Sequence, residues 1–373
     1  MSATPLDDAH YMRQALQLAQ RAWGQTHPNP LVGAVLVENG TVVAKGWHAA
    51  AGQAHAEVAA LQALGRQPLA GASLYVTLEP CSTCGRTGAC TEAIIQAGLA
   101  RVVVGALDPN PAHAGRGLAI LRAAGIEVVA GVLAEACTDL NLIFNHWITR
   151  CTPFIAAKMA LTLDGKFAAA SGESRWVTGN AARADVMRWR RYFPAIAVGA
   201  ATVVADNPSL TARLDSGVWC PQRFVFDRSL RTLEREPLPK IFTDSYADKT
   251  IIVCLAGVAE AAKARAEELG LQLWCLPERD GYFDWAAFRQ RCADTAIYGV
   301  FVETGPRLAT VLLEARRVDY VFVYQAPKFM SDQMAPGIGS LRDTQLMAAA
   351  IHLQQPRFET FAEDRLTRGF IES

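Results

Sequence analysis

Between residues 31 and 132 the chain switches repeatedly from short apolar runs to segments with helical spacing, and this alternation restricts the fold more than any other feature. Leu31–Val37 and Thr41–Lys45 read as a strand pair joined by the tight-turn signal Glu38-Asn39-Gly40. A helix precedes them from Asp7 to Trp23, with Met12, Leu16, Ala19 and Trp23 on one face. Downstream the spacing predicts a helix His55–Leu64, a strand Ser73–Leu78, a helix Cys90–Ala97 and a strand Arg101–Leu107. A helix Leu118–Ala124, a strand Glu127–Val132 and a closing helix from Ala134 complete the half. Strands alternating with short helices build an α/β layer sandwich. The alternation resumes after Arg150–Pro153, with strands near Ala195–Gly199, Arg223–Asp227, Ile251–Leu255, Gln272–Leu276, Val300–Glu303 and Tyr320–Gln325. Two α/β domains are therefore expected, residues 1–150 and 151–373, and the tail after Ile351 reads as an edge hairpin.

Charge and hydropathy remove several function classes. Lys and Arg together number 36, as do Asp and Glu, so the chain lacks the basic excess of a general nucleic-acid binder. The longest nearly apolar stretch, Phe193 to Ala205, contains Pro194 and Thr202 and falls short of the ~20 residues that cross a bilayer. The amino terminus lacks a basic segment followed by an apolar one, so a cytoplasmic protein with neither membrane nor nucleic-acid partner is expected. Nine cysteines, an odd number, suit reduced thiols. Cys137, Cys151, Cys220, Cys254, Cys275 and Cys292 mostly lie in apolar runs and read as small core residues. Cys81, Cys84 and Cys90 cluster instead.

Those three share a context with His55-Ala56-Glu57 and Leu78-Glu79-Pro80-Cys81. One imidazole and two thiolates fill three positions of a tetrahedral Zn2+ and leave the fourth for water, while a carboxylate two residues from the histidine moves protons without ligating. This H-x-E…P-C pattern is the signature of zinc-dependent base deaminases. His55 and Cys81 are thus candidate ligands and Glu57 the candidate acid/base. For the second thiolate, Cys84 gives the short spacing, but the helical run begins at Cys90, whose thiolate would sit at a helix N-terminus. Helix phase favours Cys90; a closed structural site using both thiolates is a third reading.

With these residues in place, the chain resembles the bifunctional riboflavin-biosynthesis proteins, in which a pyrimidine deaminase is fused to a pyrimidine reductase. The likeness runs through His27-Pro28-Asn29-Pro30-Leu31-Val32-Gly33, His48, His55-Ala56-Glu57, Glu79-Pro80-Cys81, Gly85-Arg86-Thr87, Asp108-Pro109-Asn110-Pro111 and Gly115-Arg116-Gly117. It continues through Lys158-Met159-Ala160, Leu163-Asp164-Gly165-Lys166, Ser174 to Gly179, Ala205-Asp206-Asn207-Pro208, Glu303-Thr304-Gly305-Pro306 and Ala326-Pro327-Lys328. The family's C-x8-C spacing falls on Cys81 and Cys90. The sequence departs from the family at Thr83-Cys84, Gly88-Ala89, His113, Pro194 and Met330.

The resemblance implies a cytidine-deaminase-like three-layer α/β/α domain followed by a dihydrofolate-reductase-like α/β domain. It implies a small nucleotide-like substrate, 2,5-diamino-6-ribosylamino-4(3H)-pyrimidinone 5′-phosphate, deaminated at ring C2 and then reduced by NADPH at the ribosyl chain, with Zn2+ and NADPH as cofactors and a homo-oligomeric assembly. Asn29, Ser174, Arg190, Leu210, Arg213 and Glu303 would face substrate, the arginines on its phosphate; Asn29 has a turn-former reading as well, and His48 is a further substrate contact. Lys158, Ala160, Trp176, Thr202, Asp206 and Gly305 would face NADPH, with Lys158 and Asp206 as candidates for polar catalytic help. The residues alone also allow Arg190 on a solvated helix face, Trp176 as a core aromatic and Asp206-Asn207-Pro208 as a turn. Competing readings are a cytosine or nucleotide deaminase with an inactive reductase-like domain, and a non-catalytic zinc scaffold.

Overall fold

The computed structural model describes residues 7–83, 88–339 and 345–372. The chain divides into two compact units, one ending at Cys151 and one beginning at Thr152. The first comprises α1 (Asp8–Ala19), β1 (Gly33–Glu38), β2 (Thr41–Trp47), α2 (Ala56–Leu64), β3 (Ser73–Leu78) and α3 (Cys90–Gln96). It continues with β4 (Arg101–Ala106), α4 (Arg116–Ala123), β5 (Glu127–Ala130), α5 (Ala134–Asp139) and α6 (Leu142–Arg150). The strand order is β2-β1-β3-β4-β5. β1 runs antiparallel to both neighbours, whereas β3, β4 and β5 are parallel.

Glycines fix how the helices seat on this sheet. A Cβ on Gly33 would lie 2.0 Å from the Ala15 carbonyl oxygen of α1, and one on Gly46 would lie 2.3 Å from that of Ala56 in α2. Gly46 is paired with Ala34, the neighbour of Gly33, so alternation along β1 puts α1 and α2 on opposite faces. By the same alternation Gly105, whose Cβ would meet Cys137 Sγ of α5 at 2.3 Å, faces the α1 side. The result is a three-layer α/β/α sandwich. Its core includes Met12, Val35, Leu36, Leu74, Val76, Ile94, Val103 and Leu121.

The second unit opens with β6 (Phe154–Thr162), α7 (Asn180–Tyr192), β7 (Ala195–Gly199) and α8 (Ala200–Asp206). The ribbon β8 (Ala212–Leu214) and β9 (Gly217–Trp219) follows, then β10 (Gln222–Phe226), β11 (Thr250–Leu255), α9 (Glu260–Glu268) and β12 (Gln272–Leu276). A second ribbon, β13 (Glu278–Arg279) and β14 (Tyr282–Phe283), leads to α10 (Trp285–Asp294), β15 (Gly299–Glu303), α11 (Pro306–Glu314) and β16 (Tyr320–Ala326). β17 (Leu353–Phe361) and β18 (Asp364–Ile371) close the chain. Among the described residues these form a nine-stranded sheet in the order β12-β11-β10-β7-β15-β6-β16-β18-β17. The strands from β12 to β16 are parallel, and the β17–β18 hairpin adds antiparallel at the edge, as the alternating tail predicts.

Two differences from the sequence reading are instructive. Cys151 is exposed rather than core, because it ends α6 in the left-handed conformation, and Cys275 is only partly buried. The two small ribbons lie in stretches whose two- and three-residue strands are too short to show a period.

Candidate active sites

In the first unit the C-terminal end of β3 and the N-termini of α2 and α3 meet. Cys81 lies three residues beyond β3, His55 caps α2, and Cys90 is the first residue of α3. Their ligand atoms all lie within 4.8 Å of one another. His55 Nδ1 is 3.2 Å from Cys90 Sγ and 3.6 Å from Cys81 Sγ, and the Cys90 amide donates to Cys81 Sγ at 3.3 Å. Cys84, Gly85, Arg86 and Thr87 lie outside the described residues.

The electrostatics suit a cation. The Cys90 side chain and amide, together with His55, pull the Cys81 thiol down to about 4. The Cys90 thiol is driven upward by its hydrogen bond to Cys81 and by burial, so the two sulfurs share what a metal would displace. His55 is held above its usual range, chiefly by Cys81. An imidazole and two half-buried to buried sulfurs, with no cationic side chain hydrogen-bonded to the sulfurs among the described residues, fit Zn2+ by donor chemistry.

Glu57, in the first turn of α2, is 4 % exposed and hydrogen-bonds Cys90 without belonging to the ligand set. Burial, reinforced by the charge on Cys81, raises its carboxyl to about 7. Beside it His48 sits buried, its ring 5.5 Å from that of His55. His48 Nδ1 lies 3.1 Å from the Ala54 carbonyl, which fixes the proton there and leaves Nε2 to accept from Asn29 Nδ2 at 3.1 Å. Burial keeps this imidazole below its usual pKa and thus neutral. The amide of Asn29 is thereby oriented, with its Oδ1 taking no protein donor among the described residues.

Glu79, to which the sequence reading gave no role, organises the rim. Its buried carboxylate accepts from the backbone amides of Asp108 (3.1 Å), Gly115 (2.9 Å) and Gly117 (2.9 Å), with a longer bond from Leu118. A Cβ on Gly117 would sit 2.2 Å from the Pro80 carbonyl oxygen. The two motifs Glu79-Pro80-Cys81 and Asp108 to Gly117 are therefore one structural device. The signal for it was an acidic residue next to a glycine-rich return; it carries no periodicity.

In the second unit a cleft of about 1940 Å³ opens at the C-terminal ends of the parallel strands. Val198 (β7), Phe226 (β10), Leu255 (β11) and Glu303 (β15) mark those ends, with Lys158 paired to Glu303 midway along the longer β6. From β7 the sheet grows one way through β10, β11 and β12, while β15, β6 and β16 lie on the other side. Such a reversal leaves a crevice where ligands bind. Its volume exceeds the about 300–1,000 Å³ of a single-ligand pocket and fits a dinucleotide beside a nucleotide-like substrate. Ser174, Arg190, Leu210, Arg213 and Glu303 line it, and so do Lys158, Ala160, Trp176, Thr202, Asp206 and Gly305.

Charges converge at its floor. Arg190 Nε and Nη2 donate to the two Glu303 oxygens at 2.6 and 2.9 Å, and Nη1 donates to the Thr211 carbonyl at 2.8 Å. Arg190 thus lies neither on a solvated face nor with a free fork: it holds Glu303. Burial opposes ionisation of Glu303, but Arg190, Lys158 and Arg213 together keep its carboxyl below the usual range. Lys158, paired with Glu303 across β6 and β15, is pushed down by burial and held up by that carboxylate; its Nζ lies 5.9 Å from the Tyr324 ring centre. Arg213 lines the cleft, is exposed and makes no ion pair among the described residues, its charge acting on Glu303 from a distance.

Trp176 is not a core aromatic. It is 63 % exposed, with the Arg183 guanidinium 4.2 Å above its ring. Asn207 does end α8 as a left-handed turn, while the Asp206 carbonyl accepts from Arg175 at 2.8 Å. Gly305 caps α11 and presents its helix N-terminus to the cleft, a site suited to phosphate. Asp164, in the matched Leu163 to Lys166 motif, accepts from the amides of Met330 and Ser331 and so tethers the following segment instead of touching the cleft.

Comparison with known proteins agrees with both halves. Residues 6–106 match the cytidine and deoxycytidylate deaminase zinc-binding region, and residues 153–367 match the RibD C-terminal domain. The riboflavin biosynthesis protein RibD of Actinobacillus pleuropneumoniae is 38% identical over 362 residues, covering 97% of this chain and 94% of that one. That of Escherichia coli is 38% identical over 349 residues, covering 91% and 94%. The solved Acinetobacter baumannii RibD superposes with a TM-score of 0.76 at 33% identity, covering 98% and 99%. A Thermotoga maritima diaminohydroxyphosphoribosylaminopyrimidine deaminase/5-amino-6-(5-phosphoribosylamino)uracil reductase gives 0.78 at 31% identity with the same coverage. Fold and site define a two-unit enzyme, a zinc-binding deaminase unit followed by a reductase unit of a kind that implies a nicotinamide cofactor. The chain belongs to the RibD family of bifunctional riboflavin-biosynthesis enzymes.

Proposed function

We propose that the first unit deaminates 2,5-diamino-6-ribosylamino-4(3H)-pyrimidinone 5′-phosphate at ring C2, and that the second reduces the deaminated product's ribosyl chain to ribityl with NADPH. The convergence of His55, Cys81 and Cys90 beside a buried, non-ligating carboxylate carries the first half. Zn2+ held by those three residues supplies Lewis acidity that makes water nucleophilic near neutral pH. Glu57, poised near 7, takes a proton from the attacking water at its carboxylate and returns it to the departing amino group. Asn29, oriented by neutral His48, offers its Oδ1 to a donor on the pyrimidine or sugar.

In the second unit NADPH supplies the hydride. Trp176, Thr202, Asp206 and the Gly305 helix terminus, with Ala160 on β6, line the cleft and would hold the cofactor. Arg213 takes the substrate phosphate, and Ser174 and Leu210 bound the sugar. Lys158 and Glu303 would meet the ring-opened ribosylamino group, Lys158 holding a proton for its nitrogen. The intact Arg190–Glu303–Lys158 cluster favours an active reductase over a deaminase with a dead second domain.

Mass spectrometry of the reaction tests this reading. Without NADPH the substrate should gain the mass difference of NH exchanged for O, water being taken up and ammonia lost; adding NADPH should then add two hydrogens on the sugar chain. Hydrogen addition before deamination, or none at all, would contradict it.

A further inference from the structure

Away from the charged floor of the cleft, two thiols face each other. Cys254 of β11 and Cys275 of β12 are paired in register on neighbouring parallel strands, and their sulfurs are 3.5 Å apart. Residues paired in this way project from the same face, and backbones one strand spacing apart are within disulfide reach. The pair is asymmetric: Cys254 is fully buried, whereas Cys275 is partly exposed. Both precede wall segments of the cleft, since Leu255 to Val258 follow Cys254, and Glu278 lies three residues beyond Cys275. Lys263 of α9 is near enough for its charge to act on both sulfurs, as is Asp227 on Cys254.

We propose that Cys254 and Cys275 form a dithiol modification site, closed to a disulfide by low-molecular-weight disulfides of the glutathione class. The Cys275 thiolate attacks one sulfur of the reagent, breaking its S–S bond and releasing one thiolate. The Cys254 sulfur then attacks Cys275 Sγ in the mixed disulfide, breaking the bond to the glutathione sulfur, which takes the Cys254 proton and leaves as the second thiol. Two protein thiols are oxidised and one reagent disulfide is reduced to two thiols. The order follows from access, since reagent reaches the partly exposed sulfur and the buried one resolves. Burial, together with the Cys275 hydrogen bond, pushes the Cys254 thiol up to about 12, which suits the resolving partner better than the attacking one.

The test treats the reduced full-length chain with oxidised glutathione, blocks remaining thiols with a maleimide and maps the peptides by mass spectrometry, with NADPH oxidation on the deaminated intermediate before treatment as a check on folding of the second unit. A Cys254–Cys275 linked peptide should accumulate in the parent. C254S should stop at a glutathione adduct on Cys275, and C275S should leave Cys254 unmodified. Absence of the linked peptide, with both cysteines carrying maleimide after unfolding, would overturn the proposal. An adduct on Cys254 in C275S would overturn the order of attack, because Cys254 would then be the accessible thiol.

Discussion

Replacing Glu79 by Gln is the most searching structural perturbation of the deaminase unit. The carboxylate receives backbone amides on both oxygens, Asp108 and Gly115 on one, Gly117 and Leu118 on the other. An amide side chain can accept on one side only, so either orientation removes two bonds and turns an N–H2 donor against two N–H donors. Hydrogen bonds to a charged group contribute about 1.5–3 kcal/mol each, so the change should cost about 3–6 kcal/mol. That is a large part of the about 5–15 kcal/mol that typically holds a domain together. With a urea slope of about 1–3 kcal/mol/M, the midpoint for loss of ammonia release should fall by at least about 1 M. Because the chain has two compact units, each activity is followed separately, and NADPH oxidation should keep its parental midpoint. A deaminase midpoint within about 0.3 M of the parent would refute the claim that Glu79 anchors the Asp108–Gly117 return.

Other outcomes follow from the same geometry. E57Q should lower ammonia release by about 10²–10⁴-fold at unchanged zinc content while still oxidising NADPH when given the deaminated intermediate. C90S should lose zinc on gel filtration, measured by metal analysis, whereas C84S should retain it; the reverse would move the second ligand to Cys84. Glu303 is held below the usual carboxyl value of about 4.3, so its stabilisation is complete above that pH and is lost as pH falls through the depressed value. R190M removes its bidentate partner, and residual reductase activity after acid exposure should therefore begin to fall at a higher pH than in the parent. G46A places a Cβ 2.3 Å from the Ala56 carbonyl oxygen and 2.4 Å from the Ala60 nitrogen, which must push α2, and with it His55 and Glu57, off the sheet. The cost should exceed the about 1–3 kcal/mol typical of overpacking, read as lowered zinc retention and ammonia release.

The sequence made the alternating layers and the cluster His55, Glu57, Cys81 and Cys90 legible, because each depends on spacing within one or two elements. Cys90 could be preferred over Cys84 because helix phase is local, and α3 does begin at Cys90. What stayed hidden depends on distant pairing. The Arg190–Glu303 pair joins α7 to the end of β15, and only the sheet order brings β15 beside β6 and Lys158. Glu79 looked like part of a ligand motif, while its work is to tie down a loop some thirty residues away. Cys254 and Cys275 each read as core singly, since register across parallel strands is not written in either run.

The most direct test of two chemistries in one chain is a single-turnover reaction of the zinc-loaded protein with 2,5-diamino-6-ribosylamino-4(3H)-pyrimidinone 5′-phosphate and NADPH, with ammonia and NADPH followed in the same sample. Ammonia should appear first and NADPH should disappear after a lag, in equal final amounts. NADPH consumption without prior ammonia, or ammonia release with NADPH untouched, would contradict the account.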